Sequence, residues 1–426
     1  MRNATRFVLL VLICMVLPAC GDKPGLAPGD NGNNDDGGLA LTQKTLVSAT
    51  NDFAFKLFKE IVKDRPDSNV IASPLSVSMA LGMTANGAAG TTRDAMLATL
   101  GFDGYSLASA DECYQALIKL LTGLDPKVTF RIANSFWGRE SIGFQESFLE
   151  RCRTYFHSEV RELDLNREDA ADTVNTWVEE KTNGKIRDIV AKPIDPKTIA
   201  LLVNAIYFLG PWEYPFDPLY TRGDSFTLPN GSRVPCMMMT KLAVPAGYGD
   251  DFMLRYAYLS NDLFQAVDLP YGGGWFSMTI LLPKPGKSVD SVISALDRDS
   301  WDTWQEDFST RLGEVLMPRF RVEYACALND ALRRLGMGIA FDPGSADFSE
   351  MCTADMFIDE VLHKTYLKVD EAGTEAAAAT VVIGAGASPD TSTSFWMKVD
   401  RPFLFFIRDR YEGAILFTGK VVNPGS

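Results

Sequence analysis

The chain has 426 residues, 46% hydrophobic and 23% charged, enough for a sizeable core in one large domain or two to three smaller ones. A formal net charge of -14 argues against nucleic acid as a partner. Scattered cysteines with no C-x-x-C pair, and only two histidines, indicate neither a disulfide framework nor a metal centre.

At the N-terminus, Arg2 and Arg6 accompany an apolar run from Phe7 to Leu17. It is too short for a membrane-spanning helix and reads as an export leader, no part of the fold. The ending Leu17-Pro18-Ala19-Cys20 resembles a bacterial lipobox, in which Cys20 is lipidated and becomes the mature N-terminus. A plain leader with an incidental Cys20 is the alternative. Lipidation would anchor the chain to a membrane without spanning it. The next stretch, GDKPGLAPGDNGNNDDGGLA, cannot bury enough apolar surface to offset its ordering entropy. The expected division is therefore 1–19 leader, 20–40 disordered tether and 41–426 a single domain. The expected location is the bacterial cell envelope or surface through the lipid, and otherwise the extracellular space.

The domain opens with helices. Thr50-Asn51-Asp52 offers a cap for the periodic run FAFKLFKEIV. Ser73-Pro74 starts LSVSMALGMTANGAAG, whose small residues suit close packing. The stretch from Asp172 to Val190 begins amphipathic and meets a stop at Asn183-Gly184. Strands follow. Ala200 to Leu209 is a near-continuous apolar run, as a strand buried on both faces requires, and Phe276 to Pro283 is another. Glu314 to Val322 alternates. PFLFFIRDR, a turn at Tyr411-Glu412-Gly413 and AILFTGKVV read as a hairpin. Helices first and strands later indicate an α+β domain.

Enzyme chemistry finds little support. His157 sits at a helix end and His363 inside strand-like sequence, so neither is set up as the base of a Ser-His or Cys-His site. G-x-S-x-G, H-E-x-x-H and G-x-x-x-x-G-K-[ST] are absent. Tyr271-Gly272-Gly273-Gly274-Trp275 is better explained as a turn between strands than as a ligand loop. The expectation is a protein that is not an enzyme and uses no cofactor.

One tract resists these readings. VDEAGTEAAAATVVIGAGASPDTSTSF, Val369 to Phe395, has too little Gly and Ser for a linker and no large apolar stripe for a core helix. Its surroundings explain it. The chain carries, in order, Asn69-Val70-Ile71-Ala72-Ser73-Pro74-Leu75-Ser76; Trp177-Val178-Glu179-Glu180-Lys181-Thr182-Asn183-Gly184-Lys185-Ile186; Val203-Asn204-Ala205-Ile206-Tyr207-Phe208 followed by Trp212; Leu269-Pro270-Tyr271; Met317-Pro318-Arg319-Phe320; Leu362-His363-Lys364; Glu371-Ala372-Gly373-Thr374-Glu375-Ala376-Ala377-Ala378-Ala379-Thr380; and Arg401-Pro402-Phe403-Leu404-Phe405. From about Asp52 to Pro424 it resembles the serpin family of serine protease inhibitors.

The resemblance implies helices packed around a large central mixed β-sheet, two further sheets and an exposed reactive-centre loop, which is the tract. A protease cleaves that loop and is held as an acyl-enzyme while the loop's N-terminal arm enters the central sheet as an extra strand. The native fold is then metastable and persists kinetically. The residues suit this physically. Alternate side chains of a strand face opposite ways, and the set Thr374, Ala376, Ala378, Thr380 and Val382 is small or β-branched. Glu375 falls on the other set, where it avoids the cost of burial. Gly373 can take unusual backbone angles where the loop folds over.

Glu371 to Ala387 spans 17 residues, the family's spacing to the cleaved residue, so the reactive bond is expected at Ala387-Ser388 or within one or two residues of it. Ala at that position suits a shallow apolar pocket of elastase-like or subtilisin-like enzymes, and no Lys or Arg lies between Val369 and Trp396 for a trypsin-like one. The resemblance further places Ser73, Ser76, Asn204 and His363 in a cluster under the sheet. It pairs Glu371 with Arg319 at the sheet's top, near Trp212. Ala372 departs from the acidic residue frequent there. The leading expectation is a monomeric inhibitor that partners a serine protease covalently and touches a membrane only through its lipid. The alternatives are a non-inhibitory binding protein of the same fold, and an inhibitor of papain-like cysteine proteases.

Overall fold

The computed structural model describes residues 5–12, 43–241, 255–374 and 395–425. Its first strand is β1 (Thr5–Leu12), followed by helix α1 (Gln43–Lys63). Short β2 (Val70–Ala72) leads into α2 (Pro74–Ala85), α3 (Gly90–Thr99) and α4 (Leu107–Gly123). Then come β3 (Thr129–Arg139), α5 (Glu146–Phe156), β4 (Glu159–Leu163), α6 (Ala170–Lys181) and the long β5 (Thr198–Pro211). Five strands follow: β6 (Arg222–Thr227), β7 (Arg233–Lys241), β8 (Arg255–Ser260), β9 (Phe264–Tyr271) and β10 (Phe276–Pro283). Helices α7 (Val289–Ala295) and α8 (Arg298–Asp307) precede β11 (Ser309–Pro318) and β12 (Phe320–Ala327). The chain closes with α9 (Asn329–Leu332), β13 (Met356–Val369), the two-residue β14 (Gly373–Thr374), β15 (Phe395–Lys398), β16 (Phe403–Asp409) and β17 (Ile415–Val421).

The architecture is α+β, with a mixed central sheet as expected. Across that sheet run β12, β13, a shared position, β5, β3 and β4. β14 takes one end of the shared position and β1 the rest, and both pair with β5 and β13. The two further sheets expected from the sequence are joined. β11 pairs with β8 through Ser309–Leu312, then with β15 and β7 through Gly313–Pro318, so one continuous ten-stranded sheet results. A strand long enough to hand over from one partner to the next needs no break between sheets.

Local signals act as their chemistry requires. Ser73 is extended, its hydroxyl accepts from the Ser76 N–H at 3.4 Å, and Pro74 occupies the first helical turn of α2. Every residue of α2 is buried, which its Ser, Ala, Gly and Met content permits. α6 ends at Lys181, and Asn183 (φ 44) and Gly184 (φ 75) turn the chain in the left-handed region. His157 does the same at the end of α5 (φ 49). The apolar run 200–209 forms the middle of β5, in which every residue except Leu209 and Pro211 is buried. The hairpin of β16 and β17 forms as read.

One reading is corrected. Thr50-Asn51-Asp52 does not cap a helix, because α1 begins at Gln43. Asn51 instead donates to the Gly413 carbonyl at 2.9 Å and accepts from the Ile415 N–H at 2.9 Å, tying α1 to the final hairpin turn. A long-range pair satisfies the cap-forming side chain, so the helix runs through it. Thr5–Leu12, within the expected leader, pairs as β1 with both β5 and β13; its Val- and Leu-rich composition suits a strand as well as a leader.

Candidate functional site

The feature that organises the central sheet is the slot between β5 and β13. At its upper end the chain leaves β13 at Val369, turns over three residues and re-enters as β14, antiparallel to both neighbours. The turn is tightly held. The Trp212 backbone N–H donates to the Ala372 carbonyl at 2.9 Å, its indole N–H donates to the Asp370 carbonyl at 3.0 Å, and the Phe216 N–H donates to the Glu371 carbonyl at 2.9 Å. Gly373 has φ 149, and a Cβ there would stand 2.2 Å from the Gly210 carbonyl oxygen, so only glycine fits.

Glu371 is largely buried beside this turn. Its carboxylate accepts from Thr221 Oγ1 at 2.5 Å and from Arg319 Nε at 2.7 Å. Burial acts to raise the Glu371 carboxyl, but the Arg319 and Thr221 hydrogen bonds outweigh it and hold the group below its ordinary value. This is therefore a partly desolvated pair. Thr374 is fully buried, and its Oγ1 shares a 2.6 Å hydrogen bond with the Tyr271 hydroxyl. Tyr271 stacks on Trp212 with ring centres 4.3 Å apart and planes at 11°. The Lys241 ammonium lies over Trp212 at 5.5 Å and Phe216 at 4.9 Å, and burial pushes it down to about 7 against the pull of Glu213.

Below the slot, a second cluster ties the sheet to α2. Ser76 Oγ donates to Asn204 Oδ1, Asn204 Nδ2 donates to Asn134 Oδ1, and Asn134 Nδ2 donates to the Phe156 carbonyl at 2.6 Å. Ser73 Oγ donates to the Leu416 carbonyl at 2.8 Å, and the Ser73 N–H donates to His363 Nε2 at 3.1 Å. Asn204 and His363 face each other across the slot, both Cα partners of Val11 in β1.

Burial pushes the His363 imidazole down to about 3 from an ordinary 6.5. The unfolded chain takes up this proton below pH 6.5 and the native one does not, so stability is full above pH 6.5 and falls with acid down to about pH 3. By pH 5 the loss is about 2 kcal/mol. Denaturant unfolding at pH 7 and pH 5 checks this: His363→Gln is expected to lose less stability than wild type between the two by about that amount.

Of the residues singled out from sequence, the structure gathers Glu371, Arg319, Trp212, Gly373 and Thr374 at the upper end of the slot. It gathers Ser73, Ser76, Asn204 and His363 beneath it. Glu375, Ala376, Ala377, Ala378, Ala379, Thr380, Ala387, Ser388 and Cys20 lie outside the described residues. Thr221, Lys241 and the role of Tyr271 were not anticipated. Tyr271 stands in a quoted motif, but nothing near Thr221 or Lys241 in the chain marks either. The described cysteines, Cys113, Cys152, Cys236, Cys326 and Cys352, are free.

Comparison with known proteins gives one answer at every level. Residues 48–424 match the family model described as Serpin (serine protease inhibitor). Human Serpin B9 is 34% identical over 392 residues, covering 89% of this chain and 100% of that protein. An uncharacterized serpin-like protein of Thermococcus kodakarensis is also 34% identical, over 90% of this chain and 86% of its own length. Among solved structures, the thermophilic serpin tengpin in its native state superposes with a TM-score of 0.79 at 29% identity, covering 93% of this chain and 97% of that one. Human thyroxine-binding globulin complexed with its hormone gives 0.78 at 28% identity, covering 90% and 99%.

Proposed function

Given that the chain belongs to the serpin family, whose members are in general serine protease inhibitors, we propose that it is an inhibitory member that traps elastase-like or subtilisin-like endopeptidases through its reactive loop. The protease serine attacks the carbonyl carbon of Ala387. The Ser388 amine departs with the C-terminal fragment, and an ester joins Ala387 to the enzyme. The freed arm then fills the slot and carries the enzyme away from the geometry that deacylation needs.

The supporting observation is the register of the slot. β14 opens an antiparallel ladder with Thr374 opposite Gly210 of β5 and Val369 of β13. Continued one residue at a time, the twelve residues Leu209 to Thr198 of β5 receive Glu375 to Gly386. On the other side, the thirteen residues Lys368 to Met356 of β13 receive Glu375 to Ala387. Both strands run out where the loop spacing puts the reactive bond. Thr374 points into the core, so period two sends Ala376, Ala378, Thr380 and Val382 the same way and Glu375 to the opposite face. Thyroxine-binding globulin has the same fold and binds thyroxine. A small, uncharged inward set suits insertion and gives a binding-only role no support.

The leader and Cys20 belong to the same reading: the processed chain is exported and held at the bacterial envelope by lipid. Mixing the processed protein with pancreatic elastase is expected to give a complex that survives denaturing gels, and mass spectrometry a released peptide beginning at Ser388. Cleavage there without a complex would remove the inhibitory reading. Complexes only with papain-like enzymes would replace the target class.

A further inference from the structure

The slot is already occupied along most of its length. β1 lies parallel to both of its walls: Leu9 stands between Leu202 and Val361, and Leu12 beside Ala205. An incoming arm runs the opposite way. In the register above, Glu375 to Ala378 would meet Leu209 to Ile206, which β1 leaves open. Ala379 would meet Ala205, and from there to Thr198 the β5 residues lie along β1. One backbone position cannot hold two strands, so β1 and the inserted arm exclude each other.

Resting on the inhibitory reading, we propose that Thr5–Leu12 is an intramolecular block: a chain that keeps this segment in its slot is cut by proteases without trapping them, and loss of the segment makes it an inhibitor. The walls of the slot present backbone N–H and C=O groups that need partners, and Phe7-Val8-Leu9-Leu10-Val11-Leu12 is a strong strand sequence that satisfies them. Residues 13–42 connect β1 to α1, and thirty residues reach up to about 100 Å when extended, so the connection permits the placement.

The test uses the full-length chain made by cell-free synthesis without signal peptidase, as wild type, Leu9→Pro and Leu9→Val. Proline removes a ladder N–H in mid-sheet, whereas valine keeps the strand. Each is mixed with pancreatic elastase and, separately, melted. Wild type and Leu9→Val are expected to be cleaved without a covalent complex. Leu9→Pro should form the complex and melt lower by about 3 °C or more. Wild type that traps elastase as well as Leu9→Pro, or equal melting of the two, overturns the block. If Leu9→Pro melts lower but no version traps elastase, β1 fills the slot with nothing to block, and it is the inhibitory reading that falls.

Discussion

Thr374→Arg is expected to turn the processed protein from a trap into a substrate. Thr374 is the last described residue of the loop's arm, fully buried and bonded through Oγ1 to Tyr271 at 2.6 Å. It lies between Gly210 and Val369, so every later residue must follow it into the slot. An arginine there would have to bury a guanidinium against the Tyr271–Trp212 stack with no described carboxylate aimed at it, a cost of several kcal/mol. Trapping is a race between insertion and deacylation, and about 3 kcal/mol on the insertion barrier slows it more than ~100-fold. Titration of elastase should therefore show nearly all inhibitor cleaved at Ala387 and almost none in covalent complex. Thr374→Ser, which keeps size and hydroxyl, should behave as wild type. Undiminished trapping by Thr374→Arg would mean that the slot is not where the arm goes.

The second large effect concerns specificity. Ala387→Arg is expected to exchange elastase for trypsin as the trapped enzyme. A specificity pocket reads the size and charge of the residue before the cut bond, and a trypsin-like pocket has no base to read anywhere from Val369 to Trp396. Rate constants of complex formation should fall at least about 10³-fold for elastase and rise comparably for trypsin. In the proposed insertion, the register set by Thr374 would bring the ends of β5 and β13 opposite Gly386 and Ala387, which agrees with the loop count. If Gly386→Arg or Ser388→Arg captured trypsin and Ala387→Arg did not, the count along the loop would be displaced by one.

Much of this site is legible before any folding is considered. Ser73-Pro74 marks its own helix start and Asn183-Gly184 its own stop, because caps and left-handed turns are satisfied by neighbours in the chain. Gly373 reports a backbone that passes close to the Gly210 carbonyl. Asn51 misled because its partners, Gly413 and Ile415, are more than 360 residues away. Lys241 gave no signal either: nothing in Met237-Met238-Met239-Thr240-Lys241 marks the lysine, and it is the distant Trp212 and Phe216 that lie beneath its buried ammonium.

By itself the sequence determined the family and most of the order of helices and strands, since each rests on local chemistry or on spacing along one chain; the same spacing is what puts the expected reactive bond at Ala387-Ser388. The tertiary structure decided what β5 and β13 hold between them, how β11 fuses two sheets and which buried groups brace the hinge. Those depend on backbone donors and acceptors from distant segments meeting in space, and a strand accepts whichever partner satisfies its ladder.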